Sequence, residues 1–114
     1  MKKFLLLFLF TSVCWAQAYP NKPIRLIVPF PPGGSNDIVA RMLAAQLGEK
    51  LGQSVVIENK GGAGGVLGTD QAGKAAPDGY TLLLLSKGHA ASSALYKKLP
   101  YDSVQDYRMA GMLV

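Results

Sequence analysis

The spacing of apolar and polar residues changes several times along the chain, and each change marks a predicted element. Residues 24–28 form a short, nearly continuous apolar run that is mostly β-branched. Such a run is typical of a strand buried on both faces in a parallel sheet, and three prolines between positions 29 and 32 end it. From Asp37 to Leu51 the apolar spacing becomes three and four, which predicts an amphipathic helix with apolar positions at Ile38, Val39, Met42, Leu43, Leu47 and Leu51.

Short polar residues precede this helix and a glycine follows it. Ser35 or Asn36 is the expected N-cap, because a short side-chain oxygen there accepts a hydrogen bond from a free backbone N–H group. Asp37 would stand in the first turn, where a carboxylate meets the positive end of the helix dipole. Gly52 is expected to end the helix.

The rest of the chain repeats the alternation of strand and helix patterns. Two further strands are predicted at residues 54–58 and 81–85, with a short helix through Gln71 to Ala76 between them. A third helix is predicted within residues 91–99, and residues 109–114 resemble the opening of a fourth strand. Right-handed connections make the strands of such a β-α-β-α-β order parallel, so their carboxyl ends lie along one edge. The sequence therefore predicts an α/β lobe in which three small-residue loops leave one ligand-binding edge.

The first 18 residues have the composition of a targeting segment. Lys2 and Lys3 precede an apolar stretch that is shorter than the ~18–20 residues needed to span a bilayer, which disfavours a membrane anchor. Val13 stands before Cys14 where a lipoprotein signal has a small residue, so lipidation is also disfavoured. The Ala-Gln-Ala sequence at 16–18 matches a cleavage site. We therefore expect a signal peptide at residues 1–18, cleaved after Ala18, and a periplasmic lobe at residues 19–114 that contains no cysteine.

The charge distribution favours a small anionic ligand over a polyanion. The formal net charge of +5 would fall to +3 without Lys2 and Lys3. The remaining basic residues are scattered, apart from the pair Lys97-Lys98, whereas nucleic-acid-binding proteins cluster them. The 96 residues that follow Ala18 are enough for one small domain.

The loop after the first strand carries the most suggestive chemistry. Gly33 and Gly34 have no Cβ atoms, so a ligand can approach the backbone closely. The free first-turn amides of the following helix, with Ser35 and Asn36, would suit a carboxylate or a phosphate. Asp37 has the opposite role open to it, as an acceptor for a ligand hydroxyl, an ammonium group or a bridging water. The alternative is that these three polar residues only cap the helix.

Other chemistries find less support in the sequence. The glycine-rich second loop lacks the Gly-Lys-Ser/Thr of a Walker A motif, because Thr69 and Asp70 follow Gly68, and Leu67 replaces the third glycine of a dinucleotide fingerprint. That loop is then a backbone cradle or simply a permissive turn. His89 is the only histidine, so it forms no metal site by itself, and it either contacts a ligand or is a solvated or capping residue. We therefore expect that the protein binds no cofactor and is not an enzyme.

Three segments in combination resemble a known family. They are "PFPPGGSND" after the first strand, the "NKGGAGG" loop, and "AAPDGYTLLL" with the later "ALYKKLPYD". Together they are similar to the N-terminal part of the Bug (TctC-type) solute-binding proteins, the periplasmic receptors of tripartite tricarboxylate transporters. The resemblance extends over residues 19–114. It implies the first lobe of a two-lobed, type II periplasmic binding protein fold that closes on a small carboxylate: a di- or tricarboxylate, an amino acid or an aromatic acid.

The resemblance also implies where this chain would bind its ligand. Residues matched by motif line the first lobe's side of the cleft and supply backbone amides and ordered waters to a carboxylate: Phe30, Pro32, Gly33, Gly34, Ser35, Asp37, Ala63, Gly64, Gly65 and Thr69. The third loop departs from the family pattern, since it has Lys87 and His89 and lacks the usual proline. Ser86 and His89 are therefore weaker candidates.

Family members are much longer than this chain, which stops at Val114 inside an expected strand. The sequence alone therefore favours a truncated, non-catalytic copy of a receptor that would serve membrane transporter subunits if it were full-length. The alternative is a small secreted structural or interaction protein that reuses the lobe.

Overall fold

The computed structural model describes Ala16 and residues 18–113 as a three-layer α/β arrangement. In chain order, the elements are β1 (Ile24–Val28), α1 (Ser35–Leu51), β2 (Val55–Asn59), a single 3₁₀ turn (Ala63–Gly65), α2 (Val66–Gly73), β3 (Thr81–Leu83) and α3 (Gly88–Leu95). No helix in this described part is long and apolar enough to cross a membrane. The predicted signal peptide falls almost entirely outside the described residues and stays a prediction.

The three strands form one parallel sheet in the order β2-β1-β3. The chain thus moves from β1 to one neighbour and then crosses to the opposite side of β1. Right-handed connections of this kind place α1 and α2 on opposite faces of the sheet. A crevice therefore opens beyond the carboxyl ends of β1 and β3, which is the position where open α/β sheets bind ligands.

Burial of β1 on both faces explains its apolar run. Four of its five residues are at most 1% exposed, as predicted for a central parallel strand: Ile24, Leu26, Ile27 and Val28. Arg25 is the exception, and its guanidinium donates two 2.8 Å hydrogen bonds to the carboxylate of Glu58 on β2. On one face, Leu26 and Val28 pack against Ala40 and Ala44, whose small side chains allow α1 to approach closely.

Several boundaries differ from the sequence prediction. Strands β2 and β3 end at Asn59 and Leu83, and α2 and α3 both lie a few residues earlier than expected. The expected N-cap is wrong: Gly34 precedes the helix without any side-chain cap, and Ser35 and Asn36 already belong to the first turn. The expected fourth strand is also wrong for the described part of residues 109–114, because residues 109–113 form no strand.

The apolar face of α1 is only partly buried. Leu43, Leu47 and Leu51 are half-buried, as the helical spacing predicted. Ile38 and Met42, in contrast, are 57% and 62% exposed. Neighbouring strands are about 4.8 Å apart, so a three-stranded sheet is only about as wide as one helix and covers one stripe of it.

Candidate functional site

The loops beyond β1, β2 and β3 meet at the carboxyl edge of the sheet. They surround a shallow depression that is open to solvent. Its lining comes from the residues after β1, the start of α2, the residues after β3 and α3, and includes six predicted site residues: Phe30, Gly64, Gly65, Thr69, Ser86 and His89. The depression thus lies in the crevice that the strand order creates.

The loop after β1 lies beside this depression and is largely exposed. Pro32, Gly33, Gly34 and Ser35 are all accessible to solvent, although none of them lines the depression itself. Gly33 has φ of +92°, a left-handed conformation that favours glycine. The first-turn amides of Ser35 and Asn36 have no carbonyl partner within α1, as at any helix start. This loop therefore presents backbone donors next to an open depression.

Asp37 differs from its neighbours because it is only 3% exposed. Its Oδ2 atom accepts hydrogen bonds from the Gly33 amide at 3.1 Å and from Arg41 Nε at 2.9 Å. Its Oδ1 atom accepts a hydrogen bond from Asn59 Nδ2 at 3.0 Å. The hydrogen bond from Arg41, followed by those from Asn59 and Gly33, lowers the pKa of Asp37 from 3.8 to about 2. The carboxylate is thus ionised at neutral pH and bonded on both oxygens within the protein.

The glycine loop after β2 has an unusual backbone path. Residues 62–65 all have positive φ, including Ala63 at +49°. Gly65 is buried, and its carbonyl accepts a 2.7 Å hydrogen bond from the Thr69 hydroxyl, so that hydroxyl also has a partner inside the protein. Further on, a Cβ atom on Gly68 would lie 2.5 Å from the carbonyl oxygen of Lys60. The left-handed path of the loop accounts for the glycines at 62, 64 and 65, and the close packing of α2 accounts for Gly68. These glycines therefore have a structural reason that does not involve a nucleotide.

The third loop contributes Ser86 and His89 to the lining, and the ring of His89 also contacts residues that follow α3. Its Nε2 atom lies 3.2 Å from the carbonyl oxygen of Ser103, and its ring stacks on Tyr101 at 5.9 Å and meets Tyr107 edge-on at 5.7 Å. Burial raises the pKa of both tyrosines. Within the described residues, no group of three His, Cys, Asp or Glu side chains is arranged to hold a metal ion.

Sequence reasoning missed three residues that shape this site. Asn59 ends β2 and donates to both Asp37 and the carbonyl of Phe30. Arg41 pairs with Asp37 at a spacing of four residues, which the helical pattern already contained. Tyr101 lines the depression and stacks on His89. The signal for Asn59 was a polar residue at the carboxyl end of a predicted parallel strand.

Comparison with known proteins finds relatives of this chain among transport receptors. A model of the family described as "Tripartite tricarboxylate transporter family receptor" matches residues 39–114. Protein BugT of Bordetella pertussis is 53% identical over 93 residues, which cover 80% of this chain and 28% of BugT.

Solved structures share the fold as well as the sequence. The periplasmic binding protein BugD is 46% identical with a TM-score of 0.75, over 77% of this chain and 29% of BugD. MatC from Rhodopseudomonas palustris with bound malate is 43% identical with a TM-score of 0.74, over 77% of this chain and 30% of MatC. The chain therefore spans less than a third of the length of these relatives.

Proposed function

Because the chain belongs to the tripartite tricarboxylate transporter receptor family, we propose that residues 19–114 form one wall of a binding site for a small carboxylate. One observation supports this most strongly: three loops converge on a single depression at the crevice of the sheet. The malate-bound relative, which shares this fold, makes a dicarboxylate the natural ligand to test. The receptor would act in the periplasm after cleavage of residues 1–18, and it would deliver its ligand to membrane transporter subunits.

Within this wall, the residues have different tasks. Gly34 and Ser35 would offer backbone amides to the carboxylate, helped by the positive end of α1. Gly33, whose own amide donates to Asp37, would let the ligand approach the backbone closely. The exposed residues of the glycine loop, Ala63 and Gly64, would face it from the other side. The remaining members would shape these two surfaces: Phe30, Pro32, Asp37, Gly65 and Thr69. Ser86 and His89 line the same depression and would make weaker contacts.

The proposed role is binding without catalysis. A clamshell receptor gains affinity when two lobes close on the ligand and remove it from water. A single wall leaves the other face of the ligand solvated, so we expect malate to bind these 114 residues only in the millimolar range.

Site-resolved titration tests this proposal at weak affinity. The ¹⁵N-labelled chain is titrated with malate, and malamide, which lacks both carboxylates, is the matched control at constant ionic strength. We expect amide shifts at residues 33–36 and 63–65 with malate only. Shifts that are equal for both compounds, or that lie away from these loops, would exclude the proposal.

A second candidate is an interaction protein that uses the same lobe. The exposed apolar side chains of Ile38 and Met42 on α1 favour it, because contiguous exposed apolar residues often mark a protein interface. Light scattering coupled to size exclusion separates the two ideas. A stable dimer that dissociates when Met42 is replaced by Gln supports the interaction role, whereas a monomer rules it out.

A further inference from the structure

Asp37 sits behind the exposed loop rather than in front of it. Its side chain is almost completely buried, and three groups from three parts of the chain donate to its two oxygens: the Gly33 amide, Arg41 and Asn59. The carboxylate thus has no oxygen turned toward solvent without a partner. Its contacts are those of a residue that holds a loop in place.

Asn59 extends this arrangement to the end of β1. Its Nδ2 atom donates to Asp37 Oδ1 at 3.0 Å and to the carbonyl oxygen of Phe30 at 3.2 Å. A side-chain amide nitrogen carries two hydrogens, so both donors of Asn59 are used. Phe30 and Gly33 are therefore tied to the carboxyl end of β2 through the buried side chain of Asp37 and the half-buried side chain of Asn59. We name the group Asp37, Asn59 and Arg41 the carboxylate clamp.

The clamp also determines which amides remain free. The Gly33 N–H group points inward to Asp37, whereas the amides of Ser35 and Asn36 have no partner within α1. An unpaired aspartate beside an anion would repel it, and Arg41 offsets that charge from 2.9 Å. Asp37 therefore orients the loop through the Gly33 amide, and Arg41 neutralises the negative charge of Asp37.

From this geometry we infer that Asp37 is a positioning residue: with Asn59 it fixes the backbone of residues 30–33 so that the amides of Ser35 and Asn36 face the carboxylate. The inference rests on the proposed function and assigns Asp37 a role without ligand contact. It predicts that Asn59, which donates to Asp37 and to the Phe30 carbonyl, matters to binding as much as Asp37.

The first experiment needs no ligand. Amide hydrogen exchange at Gly33 is measured in the 114-residue chain and in Asp37→Asn, with Leu26 as an internal reference for global opening. Loss of a hydrogen bond to a charged group should accelerate exchange at Gly33 roughly 10- to 100-fold and leave Leu26 unchanged. The matched control is Asp70→Asn, which removes a carboxylate from another i,i+4 pair, with Lys74 at 2.7 Å, on α2. It should leave Gly33 unaffected.

The second experiment repeats the malate titration with Asp37→Asn, Asn59→Ala and the double variant. We expect each single variant to reduce the malate shifts at Ser35 and Asn36 at least fivefold, and the double variant to add little, because both side chains act through one loop. Additive effects, or retained shifts in Asn59→Ala, would mean that Asp37 touches the ligand and would overturn the inference.

Failure of the proposed function is distinguishable from failure of the clamp. If the unmutated chain shows no malate shifts, the proposed function fails, and the clamp is then judged by exchange at Gly33 alone. Unchanged exchange at Gly33 in Asp37→Asn refutes the clamp in either case. If Asp37→Asn does not fold, Asn59→Ala replaces it. Loss of the 3.0 Å bond to Asp37 Oδ1 should loosen the Gly33 contact and accelerate exchange there, and unchanged exchange refutes the clamp.

Discussion

Replacing Gly68 by alanine tests how closely α2 lies against the ends of the strands. A Cβ atom there would stand 2.5 Å from the Lys60 carbonyl oxygen and 2.8 Å from Pro29 Cα. Real Cβ atoms rarely approach other atoms closer than 3.4 Å, so α2 would have to move by about 0.9 Å. Both obstacles are backbone atoms, and no side-chain rotation relieves them.

Two effects of opposite sign determine the size of the change. Alanine in place of glycine within a helix contributes about 1 kcal/mol in favour of folding. Overpacking in a well-packed region costs about 1–3 kcal/mol, and we take the upper half of that range because the two nearest atoms belong to the backbone. We therefore expect Gly68→Ala to lower the free energy of unfolding by about 1–2 kcal/mol.

Urea denaturation followed by circular dichroism measures this difference, provided that the m-value is unchanged. Gly88 offers a matched control, because it is also helical and its Cβ atom would meet only Ser86 Oγ, at an ordinary 3.5 Å. Gly88→Ala should be neutral or stabilising by up to about 1 kcal/mol. If Gly68→Ala were as stable as the unmutated chain, α2 would not lie this close to Pro29 and Lys60.

Three further predictions concern Asp37, Ala63 and Tyr107. Because the pKa of Asp37 falls to about 2 in the folded chain, below the ~3.9 of an unfolded aspartate, the stability it contributes is complete above about pH 4 and is lost toward pH 2. Urea midpoints should therefore fall more steeply with acid in the unmutated chain than in Asp37→Asn, and parallel curves would disprove this. Ala63→Gly removes the strain of an alanine in the left-handed region, which is worth about 1–2 kcal/mol, at an entropy cost of about 0.4–1 kcal/mol. Thermal unfolding should therefore show a gain in stability of about 0.5–1 kcal/mol. A loss of stability would mean that the Ala63 methyl group makes stabilising contacts. Tyr107→Phe removes a part-buried 2.6 Å hydrogen bond to the Thr69 carbonyl and should lower the free energy of unfolding in urea by about 1 kcal/mol. Tyr96→Phe removes an exposed 3.2 Å hydrogen bond and should lower it by less than about 0.5 kcal/mol. Equal losses would mean that burial does not strengthen the Tyr107 hydrogen bond.

Local pattern was enough to predict the sheet, its parallel strands and the edge at which the three loops meet. The run of residues 24–28 contains its own signal, because it is short, mostly β-branched and followed by prolines, as is typical of a strand buried on both faces. The family resemblance and its expected fold are confirmed by the family match and the structural relatives. The site residues remain a proposal.

Tertiary geometry decided what the sequence left open. The helical spacing showed Ile38 and Met42 as apolar, but the width of the sheet determined that Ala40 and Ala44 would be covered instead. Asp37 looked like a capping or ligand-contacting residue, because its partner Asn59 lies 22 positions away and no local pattern joins them. Only contacts between distant segments therefore indicate whether such a residue touches the ligand or positions the loop that does.

The most direct test of the central claim is to locate a carboxylate on the folded chain. A small nitroxide bearing a carboxylate, 3-carboxy-PROXYL, is added to the ¹⁵N-labelled protein, and its neutral amide, 3-carbamoyl-PROXYL, is the control. We expect the carboxylate probe to broaden the amide signals of residues 33–36 and 63–65 far more than the neutral amide does. Equal broadening by both probes, or broadening centred on the exposed face around Met42, would contradict it.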